Sequence, residues 1–139
     1  MKRTLLSFVA IAIALSLHAQ QPGTLDLTFD TDGKVTTDIN ASSEAAADVL
    51  ALTNGKMIVA GGTKTGTNQN LFICRYLSGG QLDSAFGING FAVTDLGGNE
   101  YIARLKEQPD HKLVVVGSTI TGSDGKWLIG RYWPDGAID

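Results

Sequence analysis

Gly23-Thr24-Leu25-Asp26, Gly80-Gln81-Leu82-Asp83 and Gly136-Ala137-Ile138-Asp139 open the same unit three times, at a spacing of roughly 57 residues. A period of this size marks propellers, solenoids and arrays, whose units each carry an apolar face that a single unit cannot cover. Residues 21–79 form a first repeat, residues 80–135 a second, and residues 136–139 the start of a third. The pattern predicts a piece of a longer assembly, with further repeats of the same chain beyond Asp139 as its partners.

Short apolar runs rich in Val and Thr, separated by Gly and other turn residues, favour strands over helices. Four strands are expected per copy. They are Lys34 to Asp38 with Phe91 to Asp95, Ala45 to Leu52 with Tyr101 to Gln108, Lys56 to Thr63 with Lys112 to Thr119, and Leu71 to Leu77 with Trp127 to Trp133. The second of these begins with Ala45-Ala46-Ala47 directly after Glu44, all good helix formers. It leads straight into a hairpin turn, however, and its Ala47 and Val49 alternate as a strand would. Asn54-Gly55 suits a two-residue type I′ turn, and Asp110-His111 stands in its place in the second copy. Met57 to Ala60 and Leu113 to Val116 are apolar on both faces, as in a sheet packed between neighbours.

The N-terminus has a different character. Lys2-Arg3 precede an apolar run from Leu5 to Leu17, and His18-Ala19-Gln20 follows. This is the layout of a secretory signal peptide over residues 1–20, cut after Ala19 or Gln20. The run is shorter than the ~20 residues a spanning helix needs. The mature chain is therefore expected to be exported, to the cell surface, the periplasm or the medium, with no membrane span. Losing Lys2 and Arg3 takes the formal charge from −3 to about −5. The remaining cations are scattered, which argues against a nucleic-acid surface. Cys74 is the single cysteine and sits in an apolar run, where a small buried filler is expected.

Comparing the copies tests each apparent motif. Asp30-Thr31-Asp32-Gly33 resembles part of a calcium loop, but the second copy reads Gly87-Ile88-Asn89-Gly90, and too few acids remain for the ion. Gly61-Gly62-Thr63-Lys64-Thr65-Gly66-Thr67 lacks the Lys directly after the last Gly that a phosphate loop requires. His111 is the only histidine outside the leader and has no zinc or triad partner nearby in sequence. Glu44 with Glu100, and Asp38 with Asp95, read as acceptors for loop N–H groups. Trp127 and Trp133 occur only in the second copy and read as core or rim filling, with a sugar-stacking platform as the alternative. No catalytic, metal or cofactor residue is assigned.

What recurs in both copies is structural. Asp26, Phe29, Gly33, Gly61, Arg75 and Tyr76 correspond to Asp83, Phe86, Gly90, Gly117, Arg131 and Tyr132. A repeated Arg and Asp can form a bidentate pair tying one blade to the next, with one shared ligand-binding position per repeat as the alternative. Residues found in every unit serve what every unit must do, which is to stack.

The order of words Leu25-Asp26-Leu27-Thr28-Phe29 with Gly33, Asn54 to Gly61, then Arg75-Tyr76, repeated as Leu82 to Gly87 with Gly90, Lys112 to Gly117, then Arg131 to Gly136, resembles the delta-60 repeat family. These are bacterial exported repeats classed as β-propeller-like. The resemblance implies an exported propeller-type array and no particular activity. The expected fold is all-β: tandem four-stranded antiparallel blades of a propeller-like array, incomplete in this chain. The expected function is a binding or scaffold module with a glycan or surface protein as ligand. A polysaccharide-active propeller enzyme and a repeat segment of a large adhesin are the alternatives.

Overall fold

The structure is a computed structural model that describes residues 22–39 and 43–139. The leader expected over residues 1–20 lies outside the described residues. The described chain is all strands and turns: β1 (Ser43–Ala51), β2 (Met57–Thr65), β3 (Asn68–Tyr76), β4 (Phe91–Thr94), β5 (Asn99–Glu107), β6 (Leu113–Thr121) and β7 (Asp124–Tyr132). They form two antiparallel sheets, in the orders β1-β2-β3-β4 and β5-β6-β7. No helix among the described residues is long and apolar enough to cross a membrane.

The stretch with helix-forming residues is a strand, β1. Its pairing with β2 steps by one residue between Ala46 and Asp48, and β5 steps against β6 in the same way between Ile102 and Arg104. Such a bulge adds one residue to one strand, turning the side chains beyond it onto the other face. In β5 it keeps Ile102 and Leu105 buried on one side although they are three residues apart. Period-two alternation alone would have separated them.

The turns differ from the expected two-residue type. Leu52 N donates to Lys56 O and Gly55 N to Leu52 O, which encloses three residues, Thr53-Asn54-Gly55. Only Gly55 has positive φ, at 80°, as in a type I turn closed by a left-handed residue. The same bonds enclose Pro109-Asp110-His111, with His111 at φ 64°. A non-glycine residue there is strained, by about 1 kcal/mol. His111→Gly is therefore expected to raise stability by up to ~1 kcal/mol, read as a higher urea midpoint. The Nδ1 contact of His111 to Glu107, 2.7 Å on the exposed surface, offsets little of that.

Strands β2 and β3 also run further than expected, to Thr65 and from Asn68, around a two-residue Gly66-Thr67 turn. Their polar ends read as loop because they lack apolar residues, yet the ladder continues to Thr65 and Asn68.

The main correction concerns the first strand of each copy. Phe91–Thr94 pairs with β3, so the first sheet takes its fourth strand from the second repeat. The repeat boundary at 79/80 falls inside a sheet. Lys34 to Asp38, the expected first strand of the first copy, is not in any sheet of the described residues. Among the described residues it is chain outside the sheet ladders.

The two sheets pack face to face. Ile58, Ala60, Leu71 and Ile73 of the first sheet and Ile102, Leu105, Leu113, Val115, Leu128 and Tyr132 of the second form one buried cluster with Phe86. Removing this much branched apolar surface from water is the dominant stabilising term. Both faces of β2 are largely covered, as its sequence predicted.

Candidate functional site

The repeated polar residues converge on one cluster per copy. Arg75, near the end of β3, donates through Nε to Asp83 Oδ2 at 2.7 Å. Lys56, in the turn before β2, donates to the same oxygen at 2.7 Å. Asp83 Oδ1 accepts from Ala85 N, fixing the turn that presents the carboxylate. Asp83 is 6 % exposed. The Lys56 ammonium, with Arg75 beside it, holds this carboxyl below the usual carboxylate range against the opposing effect of burial.

The second copy builds the same cluster from Lys112, Arg131 and Asp139. The expected Arg–Asp pairing is thus present, but it is not bidentate: Arg75 gives one nitrogen to the carboxylate, and a lysine that sequence comparison did not single out shares the oxygen. Arg75 uses Nη1 on the carbonyl of Pro134, 2.8 Å away in the second repeat, and its guanidinium lies 4.8 Å from the Phe86 ring centre. The Asp83 contact stays in the loop that follows β3, whereas the carbonyl contact ties the first sheet to the loop that follows β7.

The other repeated positions hold the same frame. Asp26 accepts from Thr28 N, as Asp83 does from Ala85 N. Phe29 and Phe86 each accept from the glycine four residues on, Gly33 and Gly90. Both glycines have positive φ, 83° and 101°, which explains their recurrence. Gly61 and Gly117 recur for a different reason: each faces the strand that carries the bulge. A Cβ on Gly61 would stand 2.1 Å from Ala45 O, and one on Gly117 1.9 Å from Tyr101 O.

Tyr132 hydrogen-bonds Thr94 at 2.8 Å, joining the second sheet to the outer strand of the first. Tyr76 makes the matching bond to Thr37 at 2.6 Å. Burial pushes both phenols above their ordinary range.

One inter-sheet contact has no counterpart in the repeat. Asp48 Oδ2 accepts from Leu105 N at 2.8 Å, and Oδ1 from its neighbour Val49 N. The bulge in β5 exposes that amide to the first sheet. The second copy has Arg104 in the place of Asp48, so comparing copies could not reveal it.

Asp95 accepts from Gly97 N, and the fully buried Glu100 accepts from Gly98 N and Thr119 Oγ1, as expected of loop acceptors. Asp32 serves Lys34 N and the Lys34 ammonium. Lys112 sits 3.8 Å from the Trp133 ring centre, giving that tryptophan a cation partner. Trp127 is 81 % exposed on the outer face of the second sheet, neither core nor rim filling within the described residues.

The outer face of the second sheet exposes Trp127 and Ile129, whereas that of the first buries Phe72 and Cys74 with Ile39. The first sheet and residues 35–39 enclose an apolar hollow of about 330 Å³, lined by Val35, Thr37, Ile39, Met57, Val59, Phe72 and Tyr76. Cys74 also lines it but is only 1 % exposed, and burial raises its thiol to about 11. Native protein at pH 8 is therefore expected to react with a thiol reagent at least about tenfold more slowly than unfolded protein, as measured by release of the reagent's chromophore.

A family described as a domain of unknown function (DUF5122), beta-propeller, matches the chain at residues 52–86 and 108–139. Each matched segment runs from the three-residue hairpin turn through two strands into the loop that carries the cluster's aspartate. No curated protein and no solved structure matches the chain. Two open antiparallel sheets, together with a β-propeller family found at both repeats, make this chain an all-β repeat protein with the fold of an incomplete β-propeller.

Proposed function

We propose that the chain is an exported repeat protein of the delta-60 kind, acting as a binding or scaffold module at the cell surface or in the envelope of a bacterium. The observation that carries this is where the repeated charges go. Lys56 and Arg75 both turn to Asp83, and Lys112 and Arg131 both turn to Asp139, so the repeated charged side chains engage one another within the frame. The repeat is thus committed to support, and contacts to a glycan or surface protein fall to the variable loops, the usual division of labour in such folds. The leader-like segment from Lys2 to Gln20 supports export. In a longer polypeptide, repeats following Asp139 would cover the open face of the second sheet.

The test has two arms. Expression of the full chain in a bacterial host with N-terminal sequencing of the product is expected to give a start at Gln20 or Gln21 outside the cytoplasm. Retention inside the cell with residues 1–20 intact would refute export. Binding of the exported product to a glycan array, or to intact cells in a way that sugar competes, is expected. Turnover of a polysaccharide would move the reading to an enzyme.

A further inference from the structure

The two sheets meet at the end where both hairpin turns emerge, and a groove of about 330 Å³ opens there between them. Both repeats supply its walls. Its floor is apolar: Leu52 and Ile58 from the first repeat, Leu113 and Pro134 from the second. Its rim is polar: Asn54 and Arg75 from the first, Glu107, Asp110 and His111 from the second. The volume falls at the small end of the range for small-ligand sites, ~300–1,000 Å³.

Each rim side chain is anchored through one part and leaves another for a ligand. Asn54 Oδ1 accepts from Lys56 N at 3.0 Å, which leaves Nδ2 as a donor. Asp110 Oδ1 accepts from Lys112 N at 3.2 Å, which leaves Oδ2 as an acceptor. Glu107 Oε1 and His111 Nδ1 meet at 2.7 Å, which leaves Oε2 and Nε2. Arg75 commits Nε to Asp83 and Nη1 to Pro134 O, which leaves Nη2. Groups held in this way lose little freedom on binding.

The rim is also where the two copies part. Glu107, Asp110 and His111 stand where the first repeat has Ala51, Asn54 and Gly55. His111 occupies a left-handed position, φ 64°, of the kind that Gly55 takes without strain. A residue kept against backbone strain points to function.

We propose that this groove binds one ring of an uncharged glycan. A sugar ring has an apolar face of C–H groups and a rim of hydroxyls that both donate and accept. The apolar floor takes the ring face, and the mixed donors and acceptors take the hydroxyls. An ion is a poorer match, because charges of both signs meet here. Glu107 and Asp110 are acids, and Arg75 is a cation that shares Asp83 with Lys56. Neither sign prevails, so an ionic ligand meets repulsion along with attraction. The site rests on the binding-module reading above and gives that reading a place and a ligand class. It is distinct from Trp127, exposed on the outer face of the second sheet, which could also stack a sugar.

A glycan array carrying neutral, sulfated and uronic-acid oligosaccharides, probed with the full chain, tests it. The parent is expected to bind neutral oligosaccharides in preference to the charged ones. Asp110→Asn keeps an acceptor for Lys112 N but turns the remaining acceptor into a donor. It is expected to lower the signal on the neutral glycans at least about tenfold. His111→Gly is expected to lower that signal too while raising the urea midpoint, an outcome that misfolding cannot produce. Trp127→Ala is expected to leave the signal unchanged. A parent that binds neither glycans nor intact cells would overturn the binding-module reading and the site with it. A parent that binds intact cells but no glycan would overturn the site and leave that reading standing. So would glycan binding that Asp110→Asn and His111→Gly leave intact, or that Trp127→Ala alone abolishes. Preference for the sulfated or uronic-acid glycans would also overturn the proposal.

Discussion

Gly117→Ala is expected to destabilise the protein by about 3 kcal/mol or more, or to prevent folding. The added Cβ would lie 1.9 Å from Tyr101 O and 3.0 Å from Ile102 Cα, both backbone atoms of the adjacent strand. Backbone cannot swing aside as a flexible side chain can. The bulge between Ile102 and Arg104 also fixes that strand, since it keeps Ile102 and Leu105 together in the core. Relief would require opening the β5–β6 ladder or losing the bulge, and losing it would send Leu105 to solvent. Gly61→Ala should act in the same direction, because its Cβ would stand 2.1 Å from Ala45 O and 2.9 Å from Cε1 of the buried Phe72. Gly125→Ala is the control. Its φ is not positive, and its Cβ would meet nothing nearer than Ile120 Cγ1 at 4.0 Å, so its stability should stay within about 0.5 kcal/mol of the parent. Urea midpoints measure all three, and a Gly117→Ala midpoint equal to that of Gly125→Ala would refute the steric account.

Asp83→Ala is expected to cost about 2–3 kcal/mol, mainly because it strands cations rather than because it deletes a strong pair. Arg75 and Lys56 both donate to Asp83 Oδ2, and Arg75's side chain is only 14 % exposed. The variant also loses the Oδ1 bond to Ala85 N that holds the turn before Phe86. Asp83→Asn keeps an acceptor for that amide and should cost less. The pH dependence has a definite sign. The folded pKa of Asp83 lies below its unfolded value, so its contribution is full above about pH 4 and is lost as pH falls through the folded value. Midpoints of parent and Asp83→Asn measured from about pH 6 down to about pH 2 should therefore converge in acid. A gap independent of pH would show that the carboxylate charge contributes nothing.

The aspartate was legible in the sequence because it opens every repeat, and Arg75 and Arg131 because they recur before an aromatic. Lys56 and Lys112 recur just as faithfully but were absorbed into a turn motif, where a lysine signals only exposure. Asp48 carried no signal at all, since its role requires the second sheet and its repeat equivalent is an arginine. The three-residue turns were hidden behind Asn54-Gly55, a dipeptide that suits the two-residue turn equally well. Only the bonds of Leu52 to Lys56 distinguish the two.

Alternating apolar runs, turn residues and a doubled period sufficed for an all-β repeat with strands apolar on both faces. Those features are local: a strand's pleat and a glycine's φ are properties of a few neighbouring residues. The tertiary structure decided where a sheet begins and ends. Phe91–Thr94 joins the sheet of the repeat before it, while Lys34 to Asp38, built on the same pattern, joins no sheet among the described residues. A strand is defined by hydrogen bonds to a partner distant in sequence, and a segment's own composition does not carry that information.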